Sequence, residues 1–437
     1  MSQQIVDSDP YLEAGNATAA PARGFVLGIL MIVFAINFMD RQLLAMLIEP
    51  IKKDLQLSDG SVGLLYGFTF TVFYSAFGIP IARLADRSNR VRIIAHSVLL
   101  FSLMTALCGA AGTYLQLLLA RIGVGIGEAG TGPPSHSIIA DLYPVGRRST
   151  AMSIFSLGPH AGILLGFLSG GLLAQWLGWR STFQLAGLVG VAVAVLAYVF
   201  LKEPPRNTVV ASVATVRASP KAVIHALWRH AAMRHLFAGC TVVTIATSAA
   251  IGWLPAFLMR SHALSISHTG VVLALLLGVV GGAGTLLSGL LADHLGKRDA
   301  AWRLRIVAIA FLIAAPFWTL LLLEDRTVPM IFLLLLPSFV LGFHLGPAFA
   351  MVQSLVAPNM RALAASLLLF VGNLVGLGVG PLTVGLLSDA GAPAFGAESL
   401  RMALFIIPPL YLWSAYHFNA AARTIAADLR LAAGIGA

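Results

Sequence analysis

From residue 24 to residue 420 the chain is a succession of apolar stretches, each about twenty residues long, with most of the charge held in short connections between them. This pattern restricts the fold more than any single motif. A helix needs about 20 mostly apolar residues to cross a hydrocarbon core roughly 30 Å thick. Inside lipid every backbone N–H and C=O must find its partner within the protein, which helices achieve segment by segment. Hydrophobic residues make up 58% of the chain and charged residues 11%, against about 25% charged in soluble domains. Such a chain cannot solvate itself in water, and the sequence implies an all-α, multi-pass membrane protein.

The spans are read at 24–48, 59–82, 92–112, 115–141, 148–176 and 179–201, then 235–259, 267–292, 303–323, 328–356, 361–388 and 400–420. Twelve spans put both termini on one side. With the termini inside, the inner segments hold 20 of the 28 Lys and Arg residues, the outer loops hold six, and Arg41 and Arg121 remain within spans. Basic residues favour the cytoplasmic side, so both termini are expected in the cytoplasm and the protein in a cell membrane, plasma or bacterial inner. The net charge of +10 is therefore topological, and it sits in connections such as Arg83–Arg92 and Lys202–Arg234, which excludes a nucleic-acid partner. Cys108 and Cys240 lie inside apolar runs and form no disulfide framework. The polar first 23 residues, with Asp7, Asp9 and Glu13, lack a signal-peptide pattern.

An internal repeat divides the chain. Ala82-Arg83-Leu84-Ala85-Asp86-Arg87-Ser88-Asn89-Arg90 follows the second span, and Gly289-Leu290-Leu291-Ala292-Asp293-His294-Leu295-Gly296-Lys297 follows the eighth, 207 residues later. Gly296 is expected to turn through positive φ, and Asn89 is the residue with a side chain that best tolerates that conformation. Two six-helix bundles related this way fit a parallel repeat about the membrane normal. The expected organisation is a cytoplasmic tail (1–23), an N-terminal bundle (24–201), a cytoplasmic linker (202–234), a C-terminal bundle (235–420) and a cytoplasmic tail (421–437). Ser219-Pro220 in the linker can start a short interfacial helix; a solvated linker is the alternative.

The repeated loop resembles the cytoplasmic-loop motif of the major facilitator superfamily. Arg121-x3-Gly125-x-Gly127-x-Ala129 resembles that superfamily's fourth-helix motif, and Gly158-Pro159-x2-Gly162 partly matches the fifth-helix motif of its antiporters. Within the superfamily the first half is most similar to the Spinster family of lipid transporters. The similarity lies in Ile36-Asn37-Phe38-Met39-Asp40-Arg41, Leu84 through Arg90, Arg121 through Ala129, Asp141 with Arg147 and Arg148, and Met152-Ser153-Ile154-Phe155. The resemblance implies a twelve-helix major facilitator fold that works by alternating access, with helices one and four adjacent along the cavity. It also implies a lysophospholipid or sphingosine-phosphate-like substrate. Organic-anion symporters share a similar Asn-x-x-Asp-Arg motif, so a proton-coupled symporter of sugar acids or carboxylates is the first alternative. A non-transporting receptor or scaffold is the second.

Four ionisable residues lie within spans beyond argument: Asp40 and Arg41 in the first, Arg121 and Glu128 in the fourth. Each costs roughly 2.5–3.5 kcal/mol to insert, so four of them require a reason. Arg121 and Glu128 are seven apart, hence on one helix face and about 10 Å apart along its axis. At about 1.5 Å per residue, Asp40 and Arg41 fall near or between their levels. The four are expected to form one polar network. A carboxylate there takes a proton when its cation leaves and releases it when the cation returns. Asp40 is the first candidate for proton coupling and Glu128 the second, with Arg41 and Arg121 as charge partners or bidentate headgroup ligands. The alternative is a static network that only fixes packing.

Asp86, Arg87, Arg90, Asp141 and Asp293 are candidates for a cytoplasmic gate whose contacts form only in the outward-facing state; plain topology-setting charge is the alternative. His136, Ser153, His160, Thr241, Thr244, Ser248 and Asn373 are candidate cavity-lining residues, with interhelical hydrogen bonding as the commoner use of such side chains. Gly158, Gly162, Gly166 and Gly170, and likewise Gly372, Gly376 and Gly380, give smooth helix faces for sliding or for permanent close packing. Nothing resembles a metal site, a P-loop or a hydrolytic triad, so the chain is read as no enzyme, without metal or cofactor. The expected partners are an anionic lipid or small-molecule substrate, protons and membrane lipids, and the chain is expected to act as a monomer. With its charges in one half and apolar surface in the other, the cavity suits an amphiphile.

Overall fold

The computed structural model describes residues 23–205, 228–357 and 360–432, which are helical almost throughout, with no strand among them. The interfacial helix considered after Ser219-Pro220 and nearly all of the N-terminal tail lie outside the described residues. Among those described, nine continuous helical stretches are long and apolar enough to cross a membrane. Two of them are too long for a single crossing. Thr150–Phe200 has 51 residues, about 75 Å of helix, and reverses at Gly178 with φ 74° and ψ 169°, a conformation open essentially only to glycine. Leu363–Ala432 has 70 residues and turns at Gly396, φ 54°. A further crossing is split into Tyr114–Glu128 and Gly132–Leu142, because Pro133 and Pro134 cannot continue the first helix.

The described residues thus resolve into twelve crossings: α1 Arg23–Leu55, α2 Asp59–Arg87, α3 Arg90–Ala110, α4 114–142, α5 145–177, α6 179–200, α7 Ala231–Ser261, α8 Ile266–Gly296, α9 Trp302–Leu323, α10 Thr327–Ser354, α11 361–395 and α12 399–432. Nine of the twelve expected spans fall inside one of them; 92–112, 179–201 and 328–356 overrun the ends of α3, α6 and α10 by one or two residues. Side-chain caps start several: Ser58 accepts from the Ser61 amide, Asn89 from Arg92, Thr113 from Gln116 and Ser265 from His268. These bonds satisfy amides that have no partner in the first turn.

The expected turn chemistry at Asn89 and Gly296 is corrected. Asn89 is extended, φ −71°, because α3 begins at the next residue and needs a cap. Gly296 is absent from the positive-φ positions and ends α8 as a helical residue; its missing side chain makes room for Arg303 of α9. The repeat is nevertheless written into the backbone elsewhere. Gln56 (φ 51°) and Ala263 (φ 50°) follow the ends of α1 and α7 in the left-handed conformation that closes helices. They stand 207 residues apart, as do the caps Ser58 and Ser265 and the loop acids Asp86 and Asp293. Both α2 and α8 then pass through a π-helical turn, Leu64–Thr69 and Ala274–Val280, and α11 has a third at Gly372–Leu377.

Two apolar cores follow. One is built by residues such as Leu30, Ile94, Val98, Phe101, Val124 and Phe183, the other by Val243, Phe257, Phe311, Trp318, Leu334 and Phe418. The second reaches into the first half through Met46, Ile48, Val62 and Phe167. These residues lie toward the end of the bundle remote from the chain termini. There the halves come closest: a Cβ on Gly63 would stand 2.6 Å from the Pro381 carbonyl oxygen, and one on Gly171 2.8 Å from Gly270 Cα. The predicted glycine faces are used inside the halves instead. Gly158, Gly162, Gly166 and Gly170 of α5 pack on α1, while Gly376 and Gly380 of α11 pack on α7.

Candidate functional site

The four charges within the first half do come together. Asp40 Oδ2 of α1 lies 2.5 Å from Arg121 Nη1 of α4, and Arg41 Nε donates to Glu128 Oε2 at 2.8 Å. The consecutive pair on α1 thus reaches two residues seven apart on one face of α4. Asp40, Arg121 and Glu128 are 2%, 1% and 0% exposed, so these are paired charges in a dry interior. Removing one member would leave a buried charge uncompensated, at about 3–5 kcal/mol.

The break in α4 places Glu128 at the last residue of its first piece. Thr131 Oγ1 there donates to the Glu128 carbonyl at 2.9 Å and accepts from Asn37 Nδ2 at 3.3 Å. The Arg41 guanidinium is boxed by Phe38, Phe70 and Tyr74, its carbon 5.1, 4.7 and 5.0 Å from their ring centroids. Thr105 of α3 donates to Asp40 Oδ1 at 2.5 Å. Two polar atoms in this dry cluster lack a hydrogen-bond partner, Arg121 Nε and Glu128 Oε1.

The hydroxyls of α7 point elsewhere. Thr241 and Thr244 donate to the carbonyls of Phe237 and Cys240 on their own helix, and Ser248 donates to Gly376 of α11 at 2.7 Å. Helix packing thus engages all three. Asn373 is half-buried in the π-helical turn of α11. His160 of α5 packs on Gly282 of α8, between the halves. His136 is exposed, edge-on to Phe155 and 3.5 Å from Met152 Sδ, and Ser153 is exposed beside it in sequence.

At the end that carries the termini, Arg90 is 3% exposed and holds Asp141 at 2.5 Å, Glu203 at 2.6 Å and Ser137 at 2.8 Å. Asp141 and Ser137 belong to the first half, and Glu203 stands at the start of the linker that follows it. Asp141 meets Arg90, as expected of a gate pair, and the contact is made here while the halves are joined at the far end. Asp86, Arg87 and Asp293 are exposed.

Sequence reasoning missed the ionic cluster at the far end. Arg260 of α7 binds Glu49 of α1 and Asp59 of α2, and Asp389 of α11 accepts from the Asp59 and Gly60 amides at 2.9 and 2.7 Å. Lys52 and Ser388 also bind Asp59, at 2.6 and 2.7 Å. The signal available was Ser58-Asp59-Gly60 at a helix start. Arg260 is one of the six basic residues assigned to the outer loops.

Comparison with known proteins decides the family. The Major Facilitator Superfamily model matches residues 30–381. The chain belongs to the Major Facilitator Superfamily. Membership makes it a multi-pass membrane transporter and not an enzyme. The superfamily chain is 37% identical over 407 residues to an MFS-type efflux pump of Mycolicibacterium smegmatis, covering 93% of this chain and 92% of that protein. It is 25% identical to a probable L-galactonate transporter of Escherichia coli, covering 86% and 85%. Its fold matches the solved structure of a bacterial homolog of the human lysosomal transporter Spinster, in an inward-facing and unoccupied conformation. The TM-score is 0.85 at 29% identity, over 94% of this chain and 99% of that one. Within the superfamily the chain is related to Spinster.

Proposed function

We propose that the protein is a proton-coupled transporter of an anionic amphiphile, such as a lysophospholipid or a sphingosine-phosphate-like lipid, working by alternating access in a cell membrane with both termini in the cytoplasm. The observation that carries this reading is the asymmetry of the interior. Two acids and two arginines sit paired on α1 and α4, all but Arg41 fully buried, while the α7 hydroxyls of the other half are spent on backbone carbonyls. An anionic headgroup finds arginines on one side, and a chain finds apolar wall on the other. Asp40 carries the proton, Glu128 is the substrate-coupled acid, and Arg41 and Arg121 serve as counter-charges and headgroup ligands. An anion that draws Arg121 away leaves Asp40 without its cation, and the carboxylate then takes a proton. This links the two events.

The similarity to an efflux pump supports movement away from the cytoplasm, and the similarity to a Spinster homolog supports the lipid class. A second reading, a proton-coupled organic-anion symporter, is supported by the similarity to a probable L-galactonate transporter. The full chain in proteoliposomes, given fluorescent lysophosphatidate or radiolabelled galactonate with and without a pH gradient, separates the two. Gradient-dependent movement of the lipid alone supports the first reading. Movement of galactonate alone overturns it in favour of the second. Undiminished proton coupling in Asp40→Asn removes Asp40 from its role.

A further inference from the structure

Asp40 is gripped on both oxygens by different chemistry. Arg121 of α4 takes Oδ2, while Thr105 of α3 donates its hydroxyl to Oδ1 at 2.5 Å. Thr105 is 2% exposed. One turn earlier on α3, Ser102 is 1% exposed and its Oγ has no partner. Both hydroxyls face a small void against Asp40 whose other walls are Ile36, Met39, Phe101 and Ala186, contributed by α1, α3 and α6. With both hydroxyls in place the void has no room for a water molecule.

We propose that Thr105 is a positioning residue that sets the proton affinity of Asp40 and holds its carboxyl in both protonation states, with Ser102 as the second oxygen of the same pocket. This rests on the reading of Asp40 as the proton carrier. A hydroxyl both donates and accepts. Toward the carboxylate Thr105 donates, which favours the ionised form. Toward the protonated carboxyl it accepts, while its own O–H donates a hydrogen bond to the carbonyl one turn back, as helical threonines do. The groups facing Asp40 otherwise offer little of this. Arg121 on α4 and Arg41 on α1 have no acceptor. Glu128 on α4 has one oxygen held by Arg41 and a second without a partner, and it carries a negative charge of its own. The Cys108 thiol on α3, within electrostatic reach of Asp40 and Arg121, accepts only weakly. From α6 comes Ala186. When Arg121 moves toward a substrate, Thr105 remains on α3 to receive the neutral carboxyl.

The test is pH-difference infrared spectroscopy of the full chain in lipid vesicles, without substrate, following the carbonyl band of protonated carboxyl groups. The band lost in Asp40→Asn is assigned to Asp40. In Thr105→Val, which keeps shape and removes the hydroxyl, its midpoint is expected to rise by roughly one pH unit, about tenfold in proton affinity. In Thr105→Ser it returns to within a few tenths of a unit of wild type. Thr105→Ala gives the same reading if the valine variant fails to fold. A midpoint unchanged in the valine or alanine variant, or moved equally by serine, overturns the role of Thr105. Should Asp40→Asn remove no band at all, Asp40 takes up no proton, and the underlying reading falls together with this one.

Discussion

Arg260 at the end of α7 grips Asp59 at the start of α2 through two parallel hydrogen bonds, Nη1 to Oδ2 at 2.7 Å and Nη2 to Oδ1 at 2.8 Å. The same guanidinium reaches Glu49 of α1. One side chain of the second half thereby ties two helices of the first, at the end remote from the termini. Opening that end must break all of these bonds.

Arg260→Ala is therefore expected to shift the resting population toward the conformation open at that end. Charge-assisted hydrogen bonds contribute about 1.5–3 kcal/mol each in net terms, so the loss changes the ratio of states at least about tenfold. Spin labels on either side of the far end, read by electron–electron distance measurement, check this. A distance distribution identical to wild type would show that the contact does not hold the state.

Gly63 tests the same closure by shape alone. Its missing side chain lets α2 meet the backbone of α11 at Pro381 and Leu382. Backbone cannot swing aside as a side chain does, so Gly63→Val is expected to cost the closed far end about 1–3 kcal/mol. Labelling of a cysteine placed in the cavity, with an impermeant reagent applied from that side, should speed up by about fivefold or more. Unchanged labelling contradicts the assignment.

Which parts were legible in the sequence follows from where charge stands out. Asp40, Arg41, Arg121 and Glu128 were visible because an apolar run makes any ionisable group conspicuous. Their pairing order was not, since it depends on how α1 and α4 register against each other. Asp59 and Arg260 were hidden for the opposite reason: they lie at span ends, where charge is common and reads as topology. Thr105 was invisible because a lone hydroxyl in a helix usually bonds its own backbone, as Thr241 and Thr244 do here. The crossings themselves were legible because bilayer thickness fixes their length. The π-helical turns in α2, α8 and α11 left no compositional mark.

His262, in the short connection between α7 and α8, gives a pH prediction outside the spans. It is 8% exposed and neither ring nitrogen has a hydrogen-bond partner. Burial holds its proton affinity below the usual histidine range, Arg401 adds to that, and Asp325, Glu398 and Glu324 oppose it. The folded protein thus keeps His262 neutral where an unfolded chain would begin to protonate it. Its contribution to stability is full above about pH 6.5, the unfolded value, and is lost as the pH falls below that. The melting temperature in detergent should decline as the pH falls below about 6.5, and His262→Gln should flatten that limb. An equal decline in the variant would assign it to other groups.

Arg41 sets the sharpest test of what the charges are for. Its guanidinium donates to Glu128 through Nε while lying 4.7 to 5.1 Å from three aromatic rings. A planar, delocalised cation can do both at once, and a compact ammonium cannot. If the network served only to neutralise Glu128, Arg41→Lys would keep the charge and nearly all of the transport. If Arg41 also presents its remaining N–H groups to an anionic headgroup, lysine loses the fork and the stacking together. The expected result is a fall in transport of at least about tenfold, corresponding to one lost charge-assisted bond or more, with the melting temperature within a few degrees of wild type. Flux of lysophosphatidate in proteoliposomes, measured beside the thermal stability of the same preparation, distinguishes these outcomes. Wild-type flux in the lysine variant would reduce Arg41 to a counter-charge.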